Sequence, residues 1–330
     1  MSFSDITGNA RIKKILIKAL QRDRVPNSLL FSGPQGVGKI ETALVVAKAL
    51  NCLNLTDDAC ETCAACAAVN KGIFPDVMRI SPEKEVLKID QIRILKEAAY
   101  LRPMVGRKRV FIVNPAEKMS PEASNSLLKI LEEPPSFSHI ILITSNPFVI
   151  LPTIKSRCQV LSFSPVSRDD IARCLIEHDF SEEKAKILSL LVRGNLKQAM
   201  DMDWEEVRVE REKTWLLFLS FLHREPSIPF FKEYSTLRRG VAEEEIRSTL
   251  ELLASFSRDL ILIKENADSE LLLNPDFESL LREEAPSVRL EQILAMLAQI
   301  EGQLNSLQRN VNIKLFMSSM ISNTMGNHHV

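Results

Sequence analysis

Residues 28–40 read SLLFSGPQGVGKI, an apolar run that ends in a G-x-x-x-x-G-K loop and passes directly into a helical pattern. In such a loop the glycines (Gly33, Gly36 and Gly38) let backbone N–H groups converge on an anion. The helix N-terminus adds a favourable dipole and Lys39 a point charge. A strand that feeds a helix in this way belongs to a parallel sheet, whose strands need crossover connections. The rest of the first half agrees. Short apolar runs at 77–80, 110–113, 140–144 and 160–163 alternate with helical patterns at 40–52, 90–101 and 121–132. This predicts an α/β parallel sheet covered by helices on both faces. The 121–132 helix is marked by Ser120 as its cap, Pro121 in its first turn and Pro134-Pro135 after its end.

The loop lacks its usual chemical companions. The residue after the lysine should offer Mg²⁺ a hydroxyl, and here it is Ile40. Thr42 is no substitute, because two residues along a helix is a rotation of about 200°. A later strand, 110–113, should end in an acidic pair that holds the metal and orients the attacking water. It ends instead in Asn114-Pro115. Glu117, two residues further on, reads as a solvated side chain. The anion cradle thus survives without the groups that phosphoryl transfer needs, and each such loss costs ~10²–10³ in rate. ATP or ADP binding is expected to be absent or unproductive, and an ATPase working with substitute residues is the rival reading.

Four of six cysteines fall within fifteen residues, Cys52, Cys60, Cys63 and Cys66, spaced C-x7-C-x2-C-x2-C. Two C-x-x-C steps can share one tetrahedral ion and Cys52 can close the fourth corner, leaving no position open for water. Structural Zn²⁺ is expected; a redox or disulfide role is the competing reading, and reducing surroundings oppose it. Cys158 and Cys174 read as ordinary buried or half-buried thiols.

Charge is balanced, 42 Lys+Arg against 43 Asp+Glu, and aromatics are 6% of 330 residues. Nucleic-acid binding by bulk charge or by stacking platforms is therefore not expected. The residues between the cysteines (Glu61, Thr62, Ala64, Ala65) also argue against a DNA-gripping zinc loop. The opening MSFSDITGNARIKK has no secretory pattern, and the longest uncharged stretch, 134–154, is broken by four prolines, so a cytoplasmic protein without a membrane span is expected. The run Arg107-Lys108-Arg109 reads as a solvated turn. His139, His178, His223, His328 and His329 receive no role. Beyond residue 166 the strand signal fades. Residues 167–203 read as a small helical unit with caps at Ser167 and Ser181 and a break at Gly194-Asn195. Residues 204–330 are helical, with breaks near 224–229, 265–275 and 284–287 and an apolar stripe through Leu290, Ile293, Leu294, Leu297 and Ile300.

The run Ser124-Asn125-Ser126-Leu127-Leu128-Lys129-Ile130-Leu131-Glu132-Glu133-Pro134-Pro135 resembles the LLK-LEEPP signature of the AAA+ clamp-loader family of bacterial DNA polymerase III. Ile143-Thr144-Ser145-Asn146 resembles that family's sensor-1 strand end and Ser156-Arg157-Cys158 its SRC motif. Phe3-Ser4-Asp5-Ile6-Thr7-Gly8, the 26–34 segment, Ser257-Arg258-Asp259-Leu260 and Asn310-Val311-Asn312 are also similar to family segments. The resemblance implies a RecA-like AAA+ domain (1–165) with a zinc module at about 50–70, a helical lid (166–204) and an all-α collar for oligomerisation (205–330). It departs from the motor subunits, gamma/tau, at Ile40, Asn114 and Pro115, and at Lys197, where they carry a sensor-2 arginine. It thus implies a non-hydrolysing subunit that donates Arg157 in trans, as an arginine finger, to a neighbouring ATPase. The implied partners are gamma/tau and delta in a hetero-pentamer, which loads the sliding clamp onto primed DNA in a nucleoid-associated replisome.

Overall fold

The computed structural model describes residues 1–54, 57–223 and 239–307. The expected break at 224–229, the Asn310-Val311-Asn312 motif, His328 and His329 lie outside the described residues. The chain forms two compact units, Met1–Asp201 and Met202–Val330.

The first unit is built in the order α1 (Ala10–Gln21), β1 (Ser28–Ser32), α2 (Lys39–Asn51), α3 (Ala64–Asn70), β2 (Val77–Ile80), α4 (Ile89–Tyr100), β3 (Arg109–Val113), α5 (Pro121–Glu132), β4 (Ser138–Thr144), α6 (Pro152–Lys155) and β5 (Gln159–Ser162). The five strands form one parallel, RecA-like sheet in the order β2-β3-β4-β1-β5, with Leu30 level with Leu142 on one side and Val160 on the other. Side chains alternate between its two faces. Leu29, Phe31, Ile112, Ile141 and Leu161 pack with α1 and α2 around Leu16, Val45 and Val46. Leu30, Phe111, Val113, Ile140 and Leu142 pack with α4 and α5 around Leu95, Leu127 and Ile130. Burial on both faces explains why the central strands β1, β3 and β4 read as apolar runs, while the edge strands β2 and β5 are partly exposed.

Helix ends follow local chemistry. The Ser120 hydroxyl accepts from the Ala123 amide at 3.2 Å with Pro121 in the first turn of α5. Ser167 and Ser181 cap α7 (Arg168–Glu177) and α8 (Glu182–Leu191) in the same way. A break at Gly194, with φ +90°, leads into α9 (Leu196–Asp201). These three helices belong to the first compact unit.

Within the second unit, helices Trp204–Leu222, Arg239–Lys264, Glu278–Glu284 and Leu290–Leu307 enclose an aromatic core of Trp215, Phe218, Phe256 and Phe277. Short 3₁₀ turns at Ser269–Leu271, Pro275–Phe277 and Ala285–Ser287 occupy the other two expected breaks. Two buried polar groups organise the turns. Arg211 grips Asp276 through Nε and Nη2 and reaches Asn274 at 3.0 Å. Asp259, fully buried, accepts the amides of Leu273 and Asn274. The expected stripe on the last helix is corrected at Leu294, which is exposed; Ile293 and Ile300 carry the buried face.

Candidate functional site

The loop after β1 is held by contacts that require its glycines. A Cβ on Gly33 (φ +145°) would lie 2.3 Å from the Phe163 carbonyl oxygen, and one on Gly36 (φ +69°) would lie 1.5 Å from Asn195 Oδ1. Gly38 is the N-cap of α2. Lys39 is buried, and its ammonium donates to the carbonyls of Gly33, at 2.6 Å, and Pro34. The Thr42 hydroxyl donates to the Gly38 carbonyl at 2.6 Å, which turns it onto its own helix. Ile40 packs against the core beneath α1 and α2.

Glu117 departs from expectation. Rather than being solvated, it sits half-buried in the 3₁₀ turn Ala116–Lys118, and its Oε1 accepts both the amide (3.0 Å) and the hydroxyl of Ser145 at the end of β4. Oε2 is buried with no hydrogen-bond partner among the described residues. Burial pushes the Glu117 carboxyl up, but the bonds from Ser145, with smaller help from its own amide and the Thr144 hydroxyl, hold it below its ordinary value. Burial lowers the Lys39 ammonium, and the negative charges of Glu117 and Glu41 oppose that shift. The loop's lysine and the half-buried carboxylate after β3 both lie at the carboxyl ends of the strands, where ligands of open α/β sheets bind.

Beside the loop lies a cavity of about 200 Å³ with walls from Ile6, Val37, Leu196 and Met200 and with Glu41 and Lys197 on its lining. Asn195, just before α9, covers Gly36, and the Lys197 amide approaches the Gly36 carbonyl at 3.5 Å. The arrangement can take an anion on the loop and an apolar group beside it.

At the other end of α2, about 18 Å along the helix axis, the four Sγ atoms of Cys52, Cys60, Cys63 and Cys66 lie within 4.8 Å of one another. The Cys63 and Cys66 amides each donate to the sulfur three residues earlier, at 3.4 Å. The Thr62 hydroxyl and the Cys63 amide bring Cys60 down to about 6. A Cys60–Cys66 sulfur separation of 4.0 Å compares with ~3.8 Å for the edge of a tetrahedron of Zn–S bonds. The group could therefore hold a metal ion, and it fits Zn²⁺. Buried Lys48 ties the same region together, bonding Glu61 and Asn70.

Arg157 follows α6, and its guanidinium binds Glu132 through Nε at 2.7 Å and through Nη2, with Nη1 on the Thr153 carbonyl at 2.9 Å. The LEEPP and SRC segments, far apart in sequence, therefore meet at one half-exposed ion pair. The run at 107–109 is corrected too. Arg107 is exposed, but Arg109 is buried on β3, bound to Asp76 at 3.3 Å and to the Ala98 carbonyl at 2.7 Å. Asp76 and Asn51 accept successive amides of residues 104–108, so this run is a structural latch. His139 is likewise buried, and burial lowers it to about 4.

Residues 8–167 match the family model described as DNA polymerase III, delta subunit. The chain is 29% identical to DNA polymerase III subunit delta' of Bacillus subtilis over 321 residues, 94% of each chain. It is 35% identical over 207 residues to subunit gamma/tau of Mycoplasma pneumoniae, a match that covers 61% of this chain and 30% of that relative's length. Among solved structures, a gamma subunit-related protein of Thermotoga maritima is 19% identical with a TM-score of 0.45, covering 94% of this chain and 98% of that one.

Proposed function

We propose that this chain is a clamp-loader subunit of DNA polymerase III, delta'-like, and serves there without hydrolysing ATP itself. One observation carries the reading. The phosphate loop keeps its glycines and Lys39, while Ile40, Asn114 and Pro115 stand where metal binding and water activation need a hydroxyl and two carboxylates. The retained glycines hold the loop against Phe163 and Asn195, so they have a structural reason to persist without turnover.

Its chemical contribution would be Arg157. The guanidinium is half-exposed and pre-oriented by Glu132 and the Thr153 carbonyl, which supports presentation to a phosphoryl group on a neighbouring motor subunit. There a planar fork of donors stabilises charge on the transferring group. The first unit would then be the AAA+ domain with α7–α9 as its lid, and the second the collar that joins gamma/tau and delta subunits in a pentamer. That assembly would place the sliding clamp on primed DNA within the cytoplasmic replisome. Zn²⁺ on Cys52, Cys60, Cys63 and Cys66 would cross-link α2 to α3 and supply no catalysis, since four thiolates close its coordination.

The half-buried Glu117 carboxylate favours a second reading, an active ATPase in which this residue replaces the missing acids. Single-turnover hydrolysis of labelled ATP by the purified chain with Mg²⁺, beside Lys39→Ala, separates the two. The proposal expects equal, background rates. Turnover that disappears in Lys39→Ala would make this chain a motor.

A further inference from the structure

The loop that carries the four cysteines also holds the opening residues of the chain. Asp58, between Cys52 and Cys60, accepts the Phe3 amide on both carboxylate oxygens, each at 3.0 Å. The Phe3 side chain is buried in the same core as Cys52, Ala59 and Cys66. Glu61, between Cys60 and Cys63, is bonded by Lys48, and the same ammonium donates to the Met1 carbonyl. Glu61 has φ +58°, a conformation unfavourable to a residue with a Cβ, so this turn needs restraint from outside itself. From Phe3 the segment runs to the phosphate loop. Ile6 is buried, its Cγ2 lies 3.2 Å from where a Cβ on Gly38 would stand, and its carbonyl accepts from the Lys13 ammonium at 2.5 Å. Ile6 and Thr7 line the cavity of about 200 Å³ opposite Leu196 and Met200 of α9. Residues 1–7 form no helix or strand. Their order therefore comes from these contacts, with the cysteine loop at one end and the cavity wall at the other.

We propose that the cysteine module is a clasp for residues 1–7, so that occupancy of its metal site decides whether the cavity beside the phosphate loop keeps this wall. The inference rests on the reading of Cys52, Cys60, Cys63 and Cys66 as a Zn²⁺ site. Four sulfurs gathered on one ion fix the chain between them, and with it the positions of Asp58 and Glu61. Asp58 and Glu61 are then positioning residues: one holds the Phe3 amide, the other shares Lys48 with Met1. With the sulfurs released, the carboxylate that holds Phe3 is no longer fixed in place. A segment without secondary structure of its own then opens locally at little cost, while the sheet beneath it stays folded. The acidic residues of this loop, unsuited to gripping DNA, thus have a use inside the molecule. An anion with an apolar group would find a shaped cavity in the metal-loaded chain and a loose one after metal loss.

The test is amide hydrogen exchange and hydroxyl-radical footprinting of the full chain, with its zinc content measured alongside. The parent is compared before and after a strong chelator withdraws zinc under reducing conditions, and with Asp58→Ala, Asp58→Asn and Asp57→Ala. Asp57 serves as the control, since its carboxylate accepts from the Gln21 side chain on α1 at 2.6 Å and not from residues 1–7. Chelation and Asp58→Ala are each expected to speed exchange at residues 3–6 about tenfold or more and to raise radical labelling of Ile6. Exchange in β3 and β4 is expected to stay as in the parent. Asp58→Asn, which keeps an acceptor oxygen, is expected to restore most of the protection, and Asp57→Ala to match the parent. Unchanged exchange at 3–6 after zinc has left would overturn the clasp, as would an equal effect of Asp57→Ala. Faster exchange spread through β3 and β4 would overturn it too, as a general loss of stability. A purified parent chain without zinc overturns the metal reading itself, whereas zinc present with residues 3–6 indifferent to its removal overturns the clasp alone.

Discussion

Individual side chains carry the sharpest consequences, and the least legible ones were charged groups that fold inward. Glu117 and Arg109 read in sequence as solvated side chains, and nothing local marks Arg211, because each finds its partner far along the chain. Arg211 and Asp276 are 65 residues apart, and Arg109 and Asp76 are 33 apart. Nothing in spacing or periodicity encodes such a meeting. Glu117 had one faint signal, its place just beyond a buried strand end, but Pro115 and the 3₁₀ turn that aims it at Ser145 gave no hint of direction. By contrast the loop glycines, Lys39 and the cysteine cluster were legible because their chemistry demands a local spacing. Burial of Arg211 at 3% exposure makes its pairing consequential. Asp276→Ala leaves a guanidinium buried without its carboxylate, and the second unit should lose about 3 kcal/mol. Urea unfolding followed by tryptophan fluorescence, which reports on Trp215 inside that core, would check it; a loss below about 1 kcal/mol would mean that water or Asn274 replaces the carboxylate.

Elements were legible wherever burial on both faces or a cap wrote itself into the chain. All five strands and α2, α4 and α5 lie within two residues of their expected limits, because apolar runs and Ser-Pro starts are local signals. The segment between α2 and β2 is different: its order depends on cross-links. Four sulfurs meet at one point, and Lys48 binds Glu61 and Asn70. Metal analysis of the purified chain should find about one zinc per chain, as a closed four-thiolate site requires. Cys66→Ser should lose the metal and loosen α3, seen as faster amide exchange over 60–70. A second check uses pH. Burial pushes Glu61 up, but Lys48, the neighbouring amino group and Asn70 bring it down to about 2 from an ordinary 4.5. Its depressed value means that its contribution is complete above pH 4.5 and fades as pH falls toward 2. The stability gap between the parent chain and Glu61→Gln should therefore be constant from pH 7 to pH 5 and close below pH 4; a gap unchanged at pH 3 would contradict the pairing.

At the scale of the whole molecule, two compact units divide the labour. The first carries the sheet, the loop, the cysteine site and Arg157; the described residues of the second form helices and 3₁₀ turns around an aromatic core. Neither needs a working ATPase to be stable, since the loop's glycines answer to Phe163 and Asn195 and its lysine to local carbonyls. Under the proposed function, what the molecule would offer an ATP-driven assembly is a guanidinium outside its own loop, held half-exposed by Glu132. The central claim is that this chain acts on a neighbour's nucleotide and not on its own. The measurement that reaches it most directly is ATP turnover by the clamp loader reconstituted with gamma/tau and delta subunits, with this chain as the parent or as Arg157→Ala. The account predicts that assembly is retained while turnover at the site facing Arg157 falls by ~10³-fold or more. Turnover unchanged at every site in the intact complex would contradict it.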